Sequence, residues 1–166
     1  PAEAPMSSQP LTNFDLQRFI DAHQIEATIL PMAEHTPTVP DAARALGVAT
    51  DQIIKSLVFV IEGEPLLVIN NGTALVDHKS IATKLGVGRK RVKFATPEQA
   101  LEISGYVVGS MPPFGHKQRL HTLVDSAVAE LDVVYGGGGV VDAMMRLTSA
   151  ELLRVTAAEV VAVSKA

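Results

Sequence analysis

A chain of 166 residues, 47% hydrophobic and 19% charged, can bury one sizeable core but not two comfortable ones, and its composition excludes intrinsic disorder. The absence of cysteine excludes a disulfide scaffold, thiolate metal sites and a thiol nucleophile, and makes the cytoplasm the expected compartment. A formal net charge of -4 speaks against a surface that coats nucleic acid everywhere, and no apolar stretch has membrane-spanning length.

In chain order, residues 1–10 (PAEAPMSSQP) have neither the basic start nor the apolar run of a signal peptide. They read as a disordered segment or cloning remnant with Met6 as a candidate native start, and residues 11–166 read as one domain. Residues 11–23 (LTNFDLQRFIDAH) set Leu11, Phe14, Phe19 and Ile20 near one helical face behind a Thr12 or Asn13 cap, which predicts an amphipathic helix. A strand is expected over 27–32, and a short helix over 41–46 stopped by Gly47. Residues 53–70 (IIKSLVFVIEGEPLLVIN) are two β-rich runs joined by Glu62-Gly63-Glu64-Pro65, the clearest hairpin signal in the chain. Helices follow over 77–85, capped by Asp77 and ended by Gly86, and over 96–103, with a Thr96 cap and Pro97 in first position. Strands are expected at 106–108, 121–124, 133–135 and 140–147, then a helix at 149–154 and a strand at 159–163. Short helices interrupt many short strands without strict βαβ alternation. The fold class expected is therefore α+β, a mixed sheet or open barrel surrounded by short helices.

Three features stand apart from this pattern. Both alternating sets along 53–61 are apolar, so the strand should be covered on both faces, yet Lys55 falls within it. Its methylenes must run along the core to reach water, or its ammonium must enter a pocket that receives it. Second, residues 79–93 (KSIATKLGVGRKRVK) hold six of the fourteen Lys and Arg residues and no acid. This stretch is either a solvated face or a phosphate-contacting surface offering Lys84, Arg89, Lys90 and Arg91. Third, residues 109–115 (GSMPPFG) combine glycines, which let a ligand approach the backbone, with prolines that fix φ and remove amide donors. Such a loop is a rigid wall or an ordinary turn; it lacks the Lys-Ser/Thr ending of a phosphate-binding loop.

Lys55 in IIKSLVF, the hairpin after it, LVDHKSIATKLG, TPEQALEISGYVVGSMPPFGHK, the strand ending at Asp125 and VVYGGGG followed by RLTSAELLRVT together resemble the YbaK/ProX family, from about Leu11 to Val163. These are free-standing aminoacyl-tRNA deacylases related to the editing insertion of bacterial prolyl-tRNA synthetases. The family's strand lysine falls on Lys55. Its GxxxP loop falls on Gly109, Ser110, Met111, Pro112 and Pro113, with Ser110 where many members have a second glycine and Pro112 where many have a small or polar residue.

The resemblance implies hydrolysis of the ester on a mischarged tRNA, of tRNA-Pro or a related species, acting in trans. Lys55 would contact the terminal nucleotide or acyl group, and the Gly109–Pro113 backbone would grip the amino acid. No cofactor is implied, and the five histidines show no metal-ligand spacing. His35 and Thr38 in EHTPTVPD are candidate rim groups, with turn chemistry as the alternative. Asp125 is either a pocket carboxylate or a turn residue, and Gly138, within Gly136–Gly139, belongs to a loop over the pocket or a hairpin turn. Mischarged tRNA is the implied partner, with an aminoacyl-tRNA synthetase as a further candidate, and neither a membrane nor DNA is expected. Two other functions fit the residues: a non-catalytic module for the acceptor end or a synthetase, and a small-molecule amino-acid sensor.

Overall fold

In the computed structural model, which describes residues 9–166, helices and strands start where capping chemistry allows. Residues 1–8, most of the segment expected to lack order, lie outside the described residues. Thr12 caps helix α1 (Asn13–Ala22) in a reciprocal box with Asp15, and Thr38 caps α2 (Val39–Leu46). Asp77 caps α3 (His78–Leu85), Thr96 caps α4 (Pro97–Ser104), Asp125 caps α5 (Ser126–Ala129) and Thr148 caps α6 (Ser149–Thr156). Left-handed Gly47, Gly86 and Gly105 end α2, α3 and α4.

The strands form two sheets that do not close into a barrel. The larger has the order β4 (Val92–Phe94), β2 (Ile54–Ile61), β3 (Glu64–Asn71), β5 (Thr122–Asp125), β8 (Glu159–Val161). Its β4–β2–β3 part is antiparallel, and β5 and β8 add in parallel. The smaller sheet is antiparallel, with order β1 (Ala27–Pro31), β7 (Ala143–Thr148), β6 (Val133–Gly137). A single bridge between Ile53 and Tyr135 ties the two together. Strand β2 is covered on both faces, as its double apolar pattern requires. Ile54 and Val58 pack with Leu16, Ile69, Val134 and Met145, while Phe59 and Ile61 pack with Val68, Ile81 and Val163. Among the described residues, no helix is long and apolar enough to cross a membrane.

Three expectations for single elements are corrected. The run Tyr106–Val108 pairs with no strand among the described residues: Gly105, at φ +90°, turns the chain out of α4, Tyr106 buries its ring and donates its hydroxyl to the Gly115 carbonyl at 3.0 Å, and Val108 is exposed. Strand β7 begins at Ala143 rather than at 140, because residues 140–142 form the turn. Gly136 and Gly137 belong to β6, not to a loop.

Candidate functional site

Strand β4 pairs with only the far half of β2, from Phe59 to Ile61, and Ala95 adds one bond from its amide to the Val58 carbonyl. Between Val58 and the Ile53–Tyr135 bridge, that edge of β2 pairs with no strand among the described residues. The opening is a cleft of about 490 Å³. Its floor is this strand edge, including Lys55, Ser56 and Leu57. Its far wall is Val108, Gly109 and Met111 with Gly137, and its ends are closed by the Thr36–Val39 segment and by Phe94.

Lys55 is half-buried at the floor, and its Nζ donates to the Ala74 carbonyl at 2.6 Å. Asn70, opposite Lys55 in the β2–β3 register and wholly buried, donates to the same carbonyl at 3.1 Å. Burial lowers the lysine's pKa from its ordinary value. The ammonium is thus held at a fixed place without a carboxylate among the described residues, which leaves its charge available to an anionic or carbonyl oxygen. Ser56 adds a second polar group: its hydroxyl is buried and has no partner among the described residues.

The opposite wall is held from behind. Ser110 is fully buried and donates its hydroxyl to the Val107 carbonyl at 2.8 Å, while the Ser110 carbonyl accepts the Gly139 amide at 3.0 Å. His116 Nε2 donates to the Pro112 carbonyl at 2.8 Å. A Cβ on Gly137 would stand 2.1 Å from the Met111 carbonyl oxygen, so the loop and β6 pack backbone to backbone. Gly109, at φ +96°, faces open space in which only Val141 comes near, at 4.0 Å. The amides of Gly109 and Met111 make no hydrogen bond to a described residue.

Several residues singled out in the sequence fall elsewhere. Thr38 lines the cleft, but its hydroxyl is engaged with Asp41 as the α2 cap, accepting from the amide at 3.2 Å and donating to the carboxylate at 2.7 Å. His35 is exposed and is not part of the lining. Asp125 lies outside the cleft: one of its oxygens accepts the Val163 amide at 2.7 Å and the Ser164 amide at 3.2 Å, and the other caps α5. Gly138 packs against Ala143 in the turn, and Gly137 takes the place expected for it in the cleft wall. Lys84 pairs with Glu159 at 2.7 Å, in a different depression from Lys90 and Arg91. Those two and Lys93 border a groove that shares Phe94 with the cleft. Arg91 pairs there with Glu62, whereas Arg89, Lys90 and Lys93 make no ion pair with a described residue. Asn70, Ser56 and Phe94 are cleft residues or their supports that no sequence motif marks; the two amides Asn70 and Asn71 ending an otherwise apolar strand are the one signal for the first.

Residues 33–155 match the family described as the aminoacyl-tRNA editing domain. The protein YwhH of Bacillus subtilis (strain 168), itself uncharacterized, is 29% identical over 116 residues, covering 69% of this chain and 72% of that protein. The proline–tRNA ligase of Geobacillus thermodenitrificans (strain NG80-2) is 32% identical over 96 residues, which are 57% of this chain but only 16% of the ligase. A protein solved as a candidate trans-editing enzyme for prolyl tRNA synthetase superposes with a TM-score of 0.86 at 28% identity, over 99% of this chain and all of that one. The hypothetical protein APE2540 superposes with a TM-score of 0.84 at 30% identity, over 91% of this chain and 99% of that one.

Proposed function

The chain belongs to the aminoacyl-tRNA editing domain family, and on that premise we propose that it removes a wrong amino acid from tRNA in trans, with tRNA-Pro or a related tRNA as substrate. The reading is carried by one observation: Lys55 and a glycine-proline loop line the same cleft, and the loop's amides at Gly109 and Met111 make no hydrogen bond to a described residue. The likeness to a candidate trans-editing enzyme and to a segment of proline–tRNA ligases supports the same substrate class. Such an activity belongs in the cytoplasm, where tRNA is charged, and the synthetase that makes the error is its natural partner.

The chemistry asked of the protein is modest, because an aminoacyl ester is already activated. Water adds to the ester carbonyl carbon, the bond from that carbon to the ribose oxygen breaks, the oxygen takes up a proton, and the free amino acid leaves. The cleft contributes positioning and charge stabilisation. Lys55, fixed by the Ala74 carbonyl, would hold the terminal nucleotide or the acyl oxygen, and the loop amides would receive the oxygen that becomes negative. The largely apolar lining, from Ala42, Val58, Ala100 and Met144, would take the amino-acid side chain.

The test is amino-acid release from a panel of alanyl-, seryl-, cysteinyl- and threonyl-tRNAs. Wild-type protein should hydrolyse at least one of them. Lys55→Ala, folded to the same extent, should lose at least about tenfold in rate, equivalent to about 1.4 kcal/mol of transition-state stabilisation. A folded Lys55→Ala with full activity removes the lysine from the mechanism. Tight tRNA binding with no release from any member of the panel assigns the cleft to recognition alone.

A further inference from the structure

Phe94 is 52% exposed in a protein with only five phenylalanines, and it sits where the cleft meets the basic groove. Phe14 is also exposed but borders neither. The Phe94 ring is not loose: it stacks on fully buried Phe59 with centroids 4.3 Å apart and planes at 27°, and His78 meets it edge-on at 5.3 Å. The His78 Nε2 is buried with no partner among the described residues, so packing alone holds that ring in place. One face of Phe94 is therefore backed by a rigid aromatic, and the rest is presented to solvent.

Its place in the sheet relates it to the reacting end of the cleft. Phe94 pairs with Phe59, and Phe59, Leu57 and Lys55 follow one another on the same face of β2. Lys55 is four residues from Phe59, about 13 Å along a strand that rises roughly 3.3 Å per residue. On the side away from Lys55, Phe94 adjoins Lys90 and Lys93. Lys55, Leu57 and Phe94 thus line one cleft, and Phe94 also borders the groove of Lys90 and Lys93, two cations free of ion pairs with described residues, although Lys93, next to Phe94 in β4, projects from the opposite face of that strand. A single-stranded nucleic acid end has the complementary order of groups: an esterified ribose, a flat base, and phosphates behind it.

We infer that Phe94 is the stacking platform for the terminal base of the tRNA acceptor end, with the preceding phosphates led into the groove at Lys90 and Lys93. The inference rests on the proposed function for its ligand, but it concerns binding rather than hydrolysis.

The experiment uses an acceptor-stem RNA hairpin with a single-stranded CCA end in which 2-aminopurine replaces the terminal adenine, since stacking quenches 2-aminopurine emission. Binding of the wild-type protein should lower the emission. Phe94→Leu, which keeps an apolar side chain over Phe59 but has no aromatic face, should abolish the quenching and weaken binding roughly 5- to 150-fold. Phe94→Tyr should retain both. With an aminoacylated tRNA that the protein hydrolyses, Phe94→Leu should raise KM more than it lowers kcat, which a general loss of folding would not do. Unchanged emission on wild-type binding, or unchanged affinity and quenching in Phe94→Leu, overturns the platform. Quenching by a protein that hydrolyses no aminoacyl ester upholds the platform while overturning the deacylase.

Discussion

A single β-carbon separates two roles for glycine in this cleft. At Gly137 the carbon would fall 2.1 Å from the Met111 carbonyl oxygen, and neither backbone can yield without the other. Gly137→Ala should therefore displace the 109–115 loop, lowering both the unfolding midpoint in urea and the deacylation rate. At Gly109 the space is open, and the difficulty is φ +96°, a region that side-chain-bearing residues rarely occupy. Gly109→Ala should cost on the order of 1 to 3 kcal/mol through backbone strain. Low sequence specificity is expected of that strain, so Gly109→Ser should lose a similar amount, whereas a purely steric effect on the ligand would leave stability untouched in both variants.

The loop is an element without regular secondary structure, and a few contacts behind it keep its shape. Among them His116 is the one that titrates below neutral pH. Burial pushes its imidazole down to about 4, and the hydrogen bond to the Pro112 carbonyl offsets only part of that shift. The unfolded chain has the ordinary histidine value of about 6.5, so it binds the proton more readily than the folded protein does. The stability due to neutral His116 is thus fully present above about pH 6.5 and is lost as the pH falls toward 4, a change of about 3 kcal/mol. Urea unfolding at pH 7 and pH 4.5 should show this loss. In His116→Gln, which keeps a donor for Pro112 but does not titrate, the difference between the two pH values should shrink. An equal difference in both proteins would move the acid sensitivity elsewhere.

At the scale of the whole molecule, the proposed tRNA substrate is a polyanion meeting a net charge of -4, so the distribution of cations would decide its approach. Lys84 is paired with Glu159, and Arg91 with Glu62, while Arg89, Lys90 and Lys93 make no ion pair with a described residue. Replacing Arg89, Lys90 and Lys93 together by glutamine should weaken tRNA binding and flatten its dependence on salt by about 0.7 to 0.9 in log-log slope per phosphate contact removed. Hydrolysis of a minimal aminoacyl-nucleotide should survive. Lys84→Gln should leave the slope as it is, which separates the groove beside Phe94 from the helix α3 face.

The sequence by itself determined the elements that depend on local chemistry. Caps at Thr12, Asp77 and Thr96 and stops at Gly47 and Gly86 stand where their residues direct, because each acts on neighbours a few positions away, while α2 starts at Val39 rather than Asp41 and the hairpin turn tightens to Glu62–Gly63, with Glu64 and Pro65 already paired in β3. The family was legible too, through Lys55 and the GSMPPFG loop. Only the tertiary structure decided what those residues face. Three-residue strand β4 shows no periodicity of its own and exists because the free edge of β2 offers it partners, and its early end is what leaves the cleft open. Gly136 and Gly137 look like turn glycines until the Met111 backbone and Ile54 are seen pressed against them. Asp125 could have served a pocket or a turn, and the choice fell to the amides of Val163 and Ser164, 38 and 39 residues away. Contacts over that range depend on how the chain comes back on itself, and no pattern of nearest neighbours encodes them.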